Sequence, residues 1–330
     1  MMSGHYSFTS CFAPFIESMI TEKRNAGFQY EHAEWILHKF DEFCNQEQVE
    51  TPVITQELAG KWGTLCKTET KVTLAGRISV LRQLSLYMQA YGIKCYVPRN
   101  FTRKSSRIAY VLSIEEIQSL FLEIDSYQPA INAEVFHRLA LEYRILFRML
   151  FCCGLRVSEA RKLRLDMVDP ENGVLKIYQS KGSNDRLVYL PDDLRQLCCE
   201  YLKIMTVKYK IKSEWFFPAS DPAKVLQVAS VGKRFHRAWE QTPYAREGVL
   251  QPTVHSLRHT FVVLRMNEWM KSGVKLDNMM PYLSKYLGHS SPDDTFYYYH
   301  QVEEAFSIIK QKDQSASFVI PEVADEKIEL

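Results

Sequence analysis

The 330-residue sequence lacks the features that mark membrane-spanning and secreted proteins. No apolar run approaches the roughly 20 residues that a membrane-spanning helix requires. The N-terminus has no basic segment followed by an apolar one, so it does not resemble a signal peptide, and we expect a cytoplasmic protein. The hydrophobic fraction of 46% and the charged fraction of 24% are those of an ordinary globular chain. This length is sufficient for two domains.

The sequence also has no C-x-x-C pair, although it contains eight cysteines. The cysteines stand alone or as adjacent pairs, a spacing that favours neither a zinc site nor a secreted disulfide framework. We therefore predict reduced thiols, most of them buried, and no metal site.

Net charge is small, because 41 lysines and arginines face 39 aspartates and glutamates, which leaves +2 at pH 7. A nucleic-acid-binding protein with so little net charge must gather its basic residues in patches. One stretch without acidic residues, 99–107, contains Arg99, Arg103, Lys104 and Arg107. It is either a connector that contacts DNA or a solvated linker.

The first hundred residues are predicted to be helical, because apolar residues recur at spacings of three and four. Trp35, Ile36, Phe40 and Phe43 form one such stripe. A short helix is expected in "TPVITQELAGKW", and a longer one over about 70–91 that Gly92 ends. We expect an all-helical domain over 1–98 and a basic linker over 99–108.

The rest of the chain predicts helices around a small antiparallel hairpin. Ser113 and Glu116 have the spacing of a capping box, and a helix near 134–153 ends at Gly154. Two strand-like runs, "GVLKIYQ" and "RLVYLP", flank the turn-forming "SKGSND". Further helices are expected near 192–210, 230–240, 256–271, 279–287 and 292–310. The predicted fold class is mainly α with a small antiparallel β-sheet.

Four clusters in this second part carry side chains suited to phosphate chemistry. In chain order they are Arg156 with Glu159, Lys181 in the hairpin turn, His255 with Arg258, and His289 followed by the tyrosines of "TFYYYH". Each cluster alone is more often structural, since a helical Arg–Glu pair is usually a surface ion pair.

Together, the four clusters suit phosphoryl transfer to a protein hydroxyl without a metal. Guanidinium groups bind phosphate oxygens bidentately, and fixed donors must stabilise transition-state charge where no metal does so. Lysine can protonate the leaving 5′ oxygen, and histidine can orient the phosphate or accept a proton. Tyrosine is a competent nucleophile once it has lost its proton.

In this order the motifs resemble those of the tyrosine recombinases, the phage-integrase-type site-specific recombinases. "GLRVSEARKL" resembles the first-arginine box, "SKGSNDRLVYLP" the hairpin of the catalytic lysine, "HSLRHTF" the His-x-x-Arg box and "YLGHSS" the second-histidine box. The resemblance covers an α+β catalytic domain over 109–310, with 311–330 as a tail. The helical domain before it is similar to the family's core-binding domain in length and pattern only.

The resemblance implies a role for each matching residue. The implied catalytic residues are Arg156, Lys181, His255, Arg258 and His289, with Glu159 as the acidic companion of Arg156. The family's nucleophile lies nine residues beyond the second histidine, which is Tyr298. Arg103, Lys104, Arg107 and Arg186 are implied DNA contacts.

The stretch before the nucleophile departs from the family, which has an apolar residue and a Ser/Thr run where this chain has "PDDT". "SPDD" is still a favourable helix start, and we expect Asp293 and Asp294 to face away from the phosphate. Helix phase predicts that Tyr299 faces the core, while Tyr297 lies on the charged side.

The implied activity is cleavage and rejoining of DNA through a 3′-phosphotyrosine on Tyr298, with no cofactor. It would serve integration or excision of a mobile element, or Xer-like resolution. The implied partners are double-stranded DNA at specific sites and a tetramer of this chain, with no membrane. Residues 302–310 dock either in a neighbouring protomer or on their own domain. Because the helical pattern begins near residue 10, we expect no arm-binding domain. The alternatives are type IB topoisomerase-like relaxation and a DNA-binding accessory protein without catalysis.

Overall fold

The computed structural model describes residues 6–28, 30–66, 69–99, 109–178, 185–246 and 249–289, together with Asp294, Thr295 and Tyr297. The chain divides into two compact units, Met1–Arg107 and Ile108–Leu330. In the described part of either unit, no helix is long and apolar enough to cross a membrane.

The described residues of the first unit form four helices, as predicted. They are α1 (Ala13–Asn25), α2 (Glu31–Gln46), α3 (Gln56–Trp62) and α4 (Lys71–Ala90). The hydroxyls of Thr55 and Thr70 accept backbone N–H groups in the first turns of α3 and α4, which fixes where these helices begin. Gly92, at φ +83°, follows the end of α4.

Trp35 on α2 does not lie in the apolar face where its spacing predicted it. Trp35 is 43% exposed, and its ring stacks on the ring of His32 with the two centroids 5.9 Å apart. The buried face of α2 instead includes Leu37 and Cys44. Since Trp35 and Leu37 are two residues apart, they lie about 200° apart around the helix.

The second unit is mainly helical around a small sheet, which confirms the predicted fold class. Its elements are α5 (Ile114–Ser126), α6 (Glu134–Cys152), α7 (Val157–Ala160), a 3-10 turn (Leu165–Met167), β1 (Val168–Asp169), β2 (Val174–Ile177), β3 (Arg186–Tyr189), α8 (Asp192–Val207), α9 (Val228–Trp239), α10 (Val254–Lys271) and α11 (Leu276–Leu287). The strands are antiparallel in the order β1-β2-β3, with Leu175 opposite both Val168 and Val188. The sequence predicted β2 and β3 and missed β1.

The predicted capping box at the start of α5 is present. The Ser113 hydroxyl accepts the Glu116 N–H at 3.2 Å, and the Glu116 carboxylate accepts the Ser113 N–H at 2.8 Å. The two bonds satisfy donors that a helix N-terminus otherwise leaves without partners.

Gly154 ends α6 in a left-handed conformation, with φ +61°. A Cβ atom at this position would lie 2.5 Å from the Phe261 ring on α10. The absence of a side chain at Gly154 therefore permits both the turn and the close approach of α10.

We predict that Gly154→Ala lowers the free energy of unfolding by about 2 to 5 kcal/mol, through backbone strain and overpacking. Urea denaturation measures the change. The matched control is Gly232→Ala in α9, where an added Cβ has no neighbour within 4 Å. That control should stabilise the protein by up to about 1 kcal/mol. Equal unfolding midpoints for the wild type and Gly154→Ala would contradict the prediction.

Candidate active site

The described residues include six of the side chains that the sequence assigned to the site or to DNA contact. They are Arg156, Glu159, Arg186, His255, Arg258 and His289. The other assigned residues, namely Lys181, Tyr298, Arg103, Lys104 and Arg107, lie outside the described residues, as does the segment 302–310.

Arg156 and Glu159 form both the start of α7 and an ion pair. Oε2 of Glu159 accepts the backbone N–H of Arg156 at 2.9 Å, and its Oε1 accepts Nη1 of Arg156, also at 2.9 Å. Nη2 of Arg156 donates to the carbonyl oxygen of Gly288 at 2.8 Å. The guanidinium is therefore held from two sides, by α7 and by the end of α11, while its side chain stays 21% exposed.

Arg186, which we expected to contact DNA, instead faces inward at the start of β3. Its side chain is only 5% exposed. Its Nη1 donates to Oε1 of Glu159 at 3.1 Å, and its Nη2 donates to Oε2 at 2.9 Å. This is a bidentate pairing of guanidinium and carboxylate. Nε donates to the Tyr286 carbonyl at 2.6 Å. In this arrangement Arg186 holds Glu159 and joins β3 to α11.

The strand pattern contained a signal for this inward position. Side chains two residues apart on a strand share a face, so Arg186 points the same way as Val188. Val188 is 1% exposed and belongs to the core. An arginine whose side chain points to the same face of the strand as a core valine needs a buried partner of opposite charge. Glu159 is that partner.

Glu159 remains ionised although it is buried. Burial raises the pKa of this carboxyl, but the hydrogen bonds and charges of Arg186 and Arg156 outweigh burial and hold the pKa below its usual value. Nη1 of Arg258 lies 4.0 Å from the same carboxylate. Three guanidinium charges against one carboxylate leave this cluster at +2. The cluster therefore suits a bound anion.

Arg258, on α10, is 1% exposed and bonds to the ends of two helices. Nη1 donates to the Gly154 carbonyl at 2.6 Å, and Nη2 donates to the Leu287 carbonyl at 2.7 Å. Carbonyls in the last turn of a helix lack partners within the helix and carry its partial negative charge. The guanidinium thus satisfies the last carbonyl of α11 and the carbonyl just beyond the end of α6.

Three histidines surround Arg258, and their pKa values are all lowered. His255 and His259 lie one turn apart on α10, with their rings edge to face and the centroids 4.4 Å apart. Burial, together with the nearby charge of Arg258, lowers the pKa of His255 to about 4 and those of His259 and His289 to about 3. All three rings are therefore neutral near pH 7 and can serve as hydrogen-bonding groups.

Two of the residues that meet this cluster were not assigned from the sequence. His259 lies four residues after His255, a spacing that predicts contact on one face of a helix. Thr295 is fully buried, and its hydroxyl lies 2.7 Å from Nδ1 of His289. Residues six apart do not make contact on a helix face, so no comparable sequence signal pointed to Thr295.

Tyr297 and Asp294, close in sequence to Tyr298, are exposed, Tyr297 to 42%. This agrees with the position expected for Tyr297 on the charged side. Asp293, Tyr298 and Tyr299 lie outside the described residues.

In the described part of the chain, no group of three or more His, Cys, Asp or Glu side chains is arranged to hold a metal ion.

We predict that Glu159→Gln lowers the free energy of unfolding by about 3 kcal/mol or more, because it leaves the buried Arg186 without its carboxylate. The matched control is Glu214→Gln. Glu214 pairs with Arg164 at 2.9 Å, but the two side chains are 50% and 44% exposed. Losing such an exposed pair should cost less than about 1 kcal/mol. Chemical denaturation compares the two variants, and equal losses would contradict the buried-pair argument.

Comparison with known proteins is consistent with this arrangement. The phage integrase family model matches residues 112–305. A putative integrase/recombinase, y4rB of Sinorhizobium fredii, is 28% identical over 301 residues, covering 88% of this chain and 92% of that protein. A tyrosine recombinase of Pseudothermotoga lettingae is 27% identical over 256 residues, covering 73% of this chain and 75% of that protein.

Two solved structures share the fold. The XerH site-specific recombinase in its pre-cleavage complex with difH substrate has a TM-score of 0.61 at 23% identity, covering 89% of this chain and 83% of that one. A lambda integrase tetramer bound to a Holliday junction has a TM-score of 0.60 at 16% identity. The match covers 87% of this chain and 76% of that one. The family match spans more than half of the sequence and includes the whole arginine and histidine cluster, so this chain belongs to the phage integrase family of tyrosine recombinases.

Proposed function

We propose that this protein is a site-specific DNA recombinase that breaks and rejoins DNA through a 3′-phosphotyrosine on Tyr298, without metal or ATP. The observation that carries the proposal is the +2 cluster in which Arg156, Arg186 and Arg258 surround Glu159. Fixed positive charge of this kind can stabilise a pentacovalent phosphate that no metal ion neutralises. The XerH and lambda integrase complexes, both bound to DNA, support the assignment by fold.

The arginines contribute differently. Arg156 has the most exposed side chain of the three arginines. Its two described side-chain contacts use two of the five N–H donors of its guanidinium. It can therefore donate to a non-bridging phosphate oxygen while it stays bonded to Glu159 and Gly288. Arg258 is almost fully buried in this conformation, so it contributes mainly a fixed positive potential. Arg186 holds the shared carboxylate.

The chemical step conserves bond energy. The Tyr298 oxygen passes its proton to the neutral ring of His255 and attacks the scissile phosphorus, while the bond from phosphorus to the 5′ oxygen breaks. We assign the proton taken up by that 5′ oxygen to Lys181. The 5′ hydroxyl of a partner strand then attacks the phosphotyrosine, and the tyrosine leaves and recovers a proton. One phosphodiester replaces another, so no ATP is consumed.

The neutral histidines fit a hydrogen-bonding role in this scheme. His255 lies in the first turn of α10. Part of the residue is open to solvent although neighbouring atoms desolvate its ring, so the ring can reach a phosphate oxygen or the tyrosine hydroxyl. A neutral imidazole donates one N–H and accepts at its other nitrogen. Arg103, Lys104 and Arg107 are assigned to the DNA backbone, where they position the duplex without reading its sequence.

Tyr298→Phe tests the nucleophile. A nicked DNA substrate that traps the covalent intermediate should give a protein–DNA adduct with the wild type and none with Tyr298→Phe, because phenylalanine has no hydroxyl to attack phosphorus. Gel-shift binding of the same DNA should be unchanged. The matched controls are Tyr297→Phe and Tyr299→Phe, which should keep the adduct. Loss of the adduct in either control, with its retention in Tyr298→Phe, would refute the assignment.

Two further arms of that assay separate the alternatives. Adduct formation should persist in excess EDTA, and its loss there would refute metal independence. Strand exchange between two sites should exceed relaxation of supercoiled plasmid, because a type IB topoisomerase relaxes DNA without a second site.

A role in integration or excision of a mobile element, suggested by the integrase relatives, is tested by sequencing the genomic junctions beside the gene.

We further propose that the protein assembles as a tetramer on two DNA sites, with residues 302–310 of one copy in a groove of the next. The described part of the second unit contains an apolar groove of about 430 Å³ whose lining includes Tyr189, Phe261, Trp269 and Tyr286. The spacing of Ala305, Phe306 and Ile309 in the sequence would place them on one face of a helix, the pattern of a helix that docks in a groove. The tetrameric lambda integrase supports this assembly.

Phe306→Ala should weaken assembly of two DNA sites into one complex, while binding to a single half-site is unchanged. The reason is that Phe306 is the largest apolar side chain of the docking face. Native gels with one and with two sites measure both properties, and Ser307→Ala is the matched control on the same segment. Intact two-site assembly after deletion of 303–330 would show that this segment does not join protomers.

A further inference from the structure

His289 is held by a hydrogen bond at each of its ring nitrogens. Nε2 lies 2.9 Å from Nη2 of Arg258, and Nδ1 lies 2.7 Å from Oγ1 of Thr295. Thr295 is fully buried, and it stands three residues before Tyr298 in the sequence.

The chemistry of the two partners determines where the proton of the ring lies. A guanidinium has only donors and stays protonated in proteins, so Arg258 must donate and Nε2 must accept. Nε2 therefore carries no proton, and the neutral ring has its proton on Nδ1. This Nδ1–H can only donate to the Thr295 hydroxyl oxygen.

A doubly protonated ring would not fit this arrangement, because an Nε2–H would point at the donor group of Arg258. Burial and the charges of the surrounding arginines also lower the pKa of His289 to about 3, which agrees with a neutral ring. The tautomer assignment itself rests on the two distances and on the donor-only character of Arg258.

We propose that Thr295 is a positioning residue that accepts the Nδ1–H of His289, fixes its tautomer and directs its Nε2 lone pair to Arg258. The contact joins the segment that carries Tyr298 to the arginine cluster through one side chain. Its importance for DNA cleavage rests on the proposed function, whereas the tautomer does not.

Nuclear magnetic resonance of the full chain with ¹⁵N-labelled histidine tests the tautomer directly, because the two ring nitrogens of a neutral imidazole have distinct shifts. His289→Gln identifies the signals of this ring. At pH 7 the proton should be on Nδ1 and should exchange slowly with water. A proton on Nε2 of wild-type His289 would overturn the proposal without the need for any variant at Thr295.

Three variants then test the role of the hydroxyl. Thr295→Val should speed exchange of the Nδ1 proton or shift the tautomer, and Thr295→Ser should restore the wild-type signal. Thr260→Val is the matched control. Thr260 is equally buried. Its hydroxyl donates to the Ser256 carbonyl at 2.8 Å and accepts the Leu112 N–H at 3.0 Å. Thr260→Val therefore removes a buried hydroxyl that does not contact His289. An unchanged Nδ1 proton in Thr295→Val would refute the positioning role.

The cleavage rate supplies a separate readout. Loss of one such hydrogen bond should slow adduct formation about tenfold at unchanged DNA binding. If Thr295 acts through His289, Thr295→Val should add little to the effect of His289→Gln in the double variant. Full additivity would refute action through His289. If the wild type forms no adduct while the tautomer is as expected, the proposed function fails and the positioning role stands.

Discussion

The arginine cluster depends on the pairing of its guanidinium groups with the buried carboxylate of Glu159. Two unit charges about 4 Å apart near a protein surface interact by roughly 4 kcal/mol, so like-charged guanidinium groups cannot converge without a counter-charge. Glu159 provides it for Arg156 and Arg186 through both of its oxygens, and it lies 4.0 Å from Arg258. Because Glu159 also caps α7 through the Arg156 N–H, the backbone helps to fix the carboxylate in place.

The positive field of these arginines also sets the protonation of the histidines. The charges that attract a phosphate disfavour a further cation, and burial acts in the same direction on His255, His259 and His289. An enzyme that relied on a charged imidazole at pH 7 would need a carboxylate beside that ring, whereas here the cluster's carboxylate is bonded to arginines. A bound phosphodiester would reverse part of this effect and raise the pKa of these histidines, so substrate binding and proton affinity are linked in this site.

How much of the molecule could be predicted from the sequence depends on the range of the interaction involved. The capping box of Ser113 and the pairing of Arg156 with Glu159 follow from spacings of three residues, and both contacts are present. Trp35 was assigned to the wrong face, because a stripe of four apolar residues on α2 does not fix the helix phase. The strand β1 has two residues, too few for an alternation pattern.

The contacts that the sequence did not give are long-range ones. Arg186 meets Glu159 across 27 residues, and the meeting depends on the register of β2 with β3 as well as on the turn before α7. Thr295 meets His289 across six residues, which is not a contact spacing of a helix. The family resemblance supplied Arg156 with its companion Glu159, but it did not supply the partners of Arg186, Arg258 and His289.

The end of α11 explains how three arginines are fixed while their charge is kept. The carbonyls of Tyr286, Leu287 and Gly288 each accept a guanidinium N–H, from Arg186, Arg258 and Arg156 in turn, and a carbonyl carries no net charge. A second carboxylate would hold an arginine as firmly but would remove one of the charges that a phosphate requires. Helix C-terminal carbonyls supply partial negative charge without that loss. The turn after α11 favours glycine, because Gly288 has φ +65° and a Cβ there would lie 2.9 Å from Nη1 of Arg186.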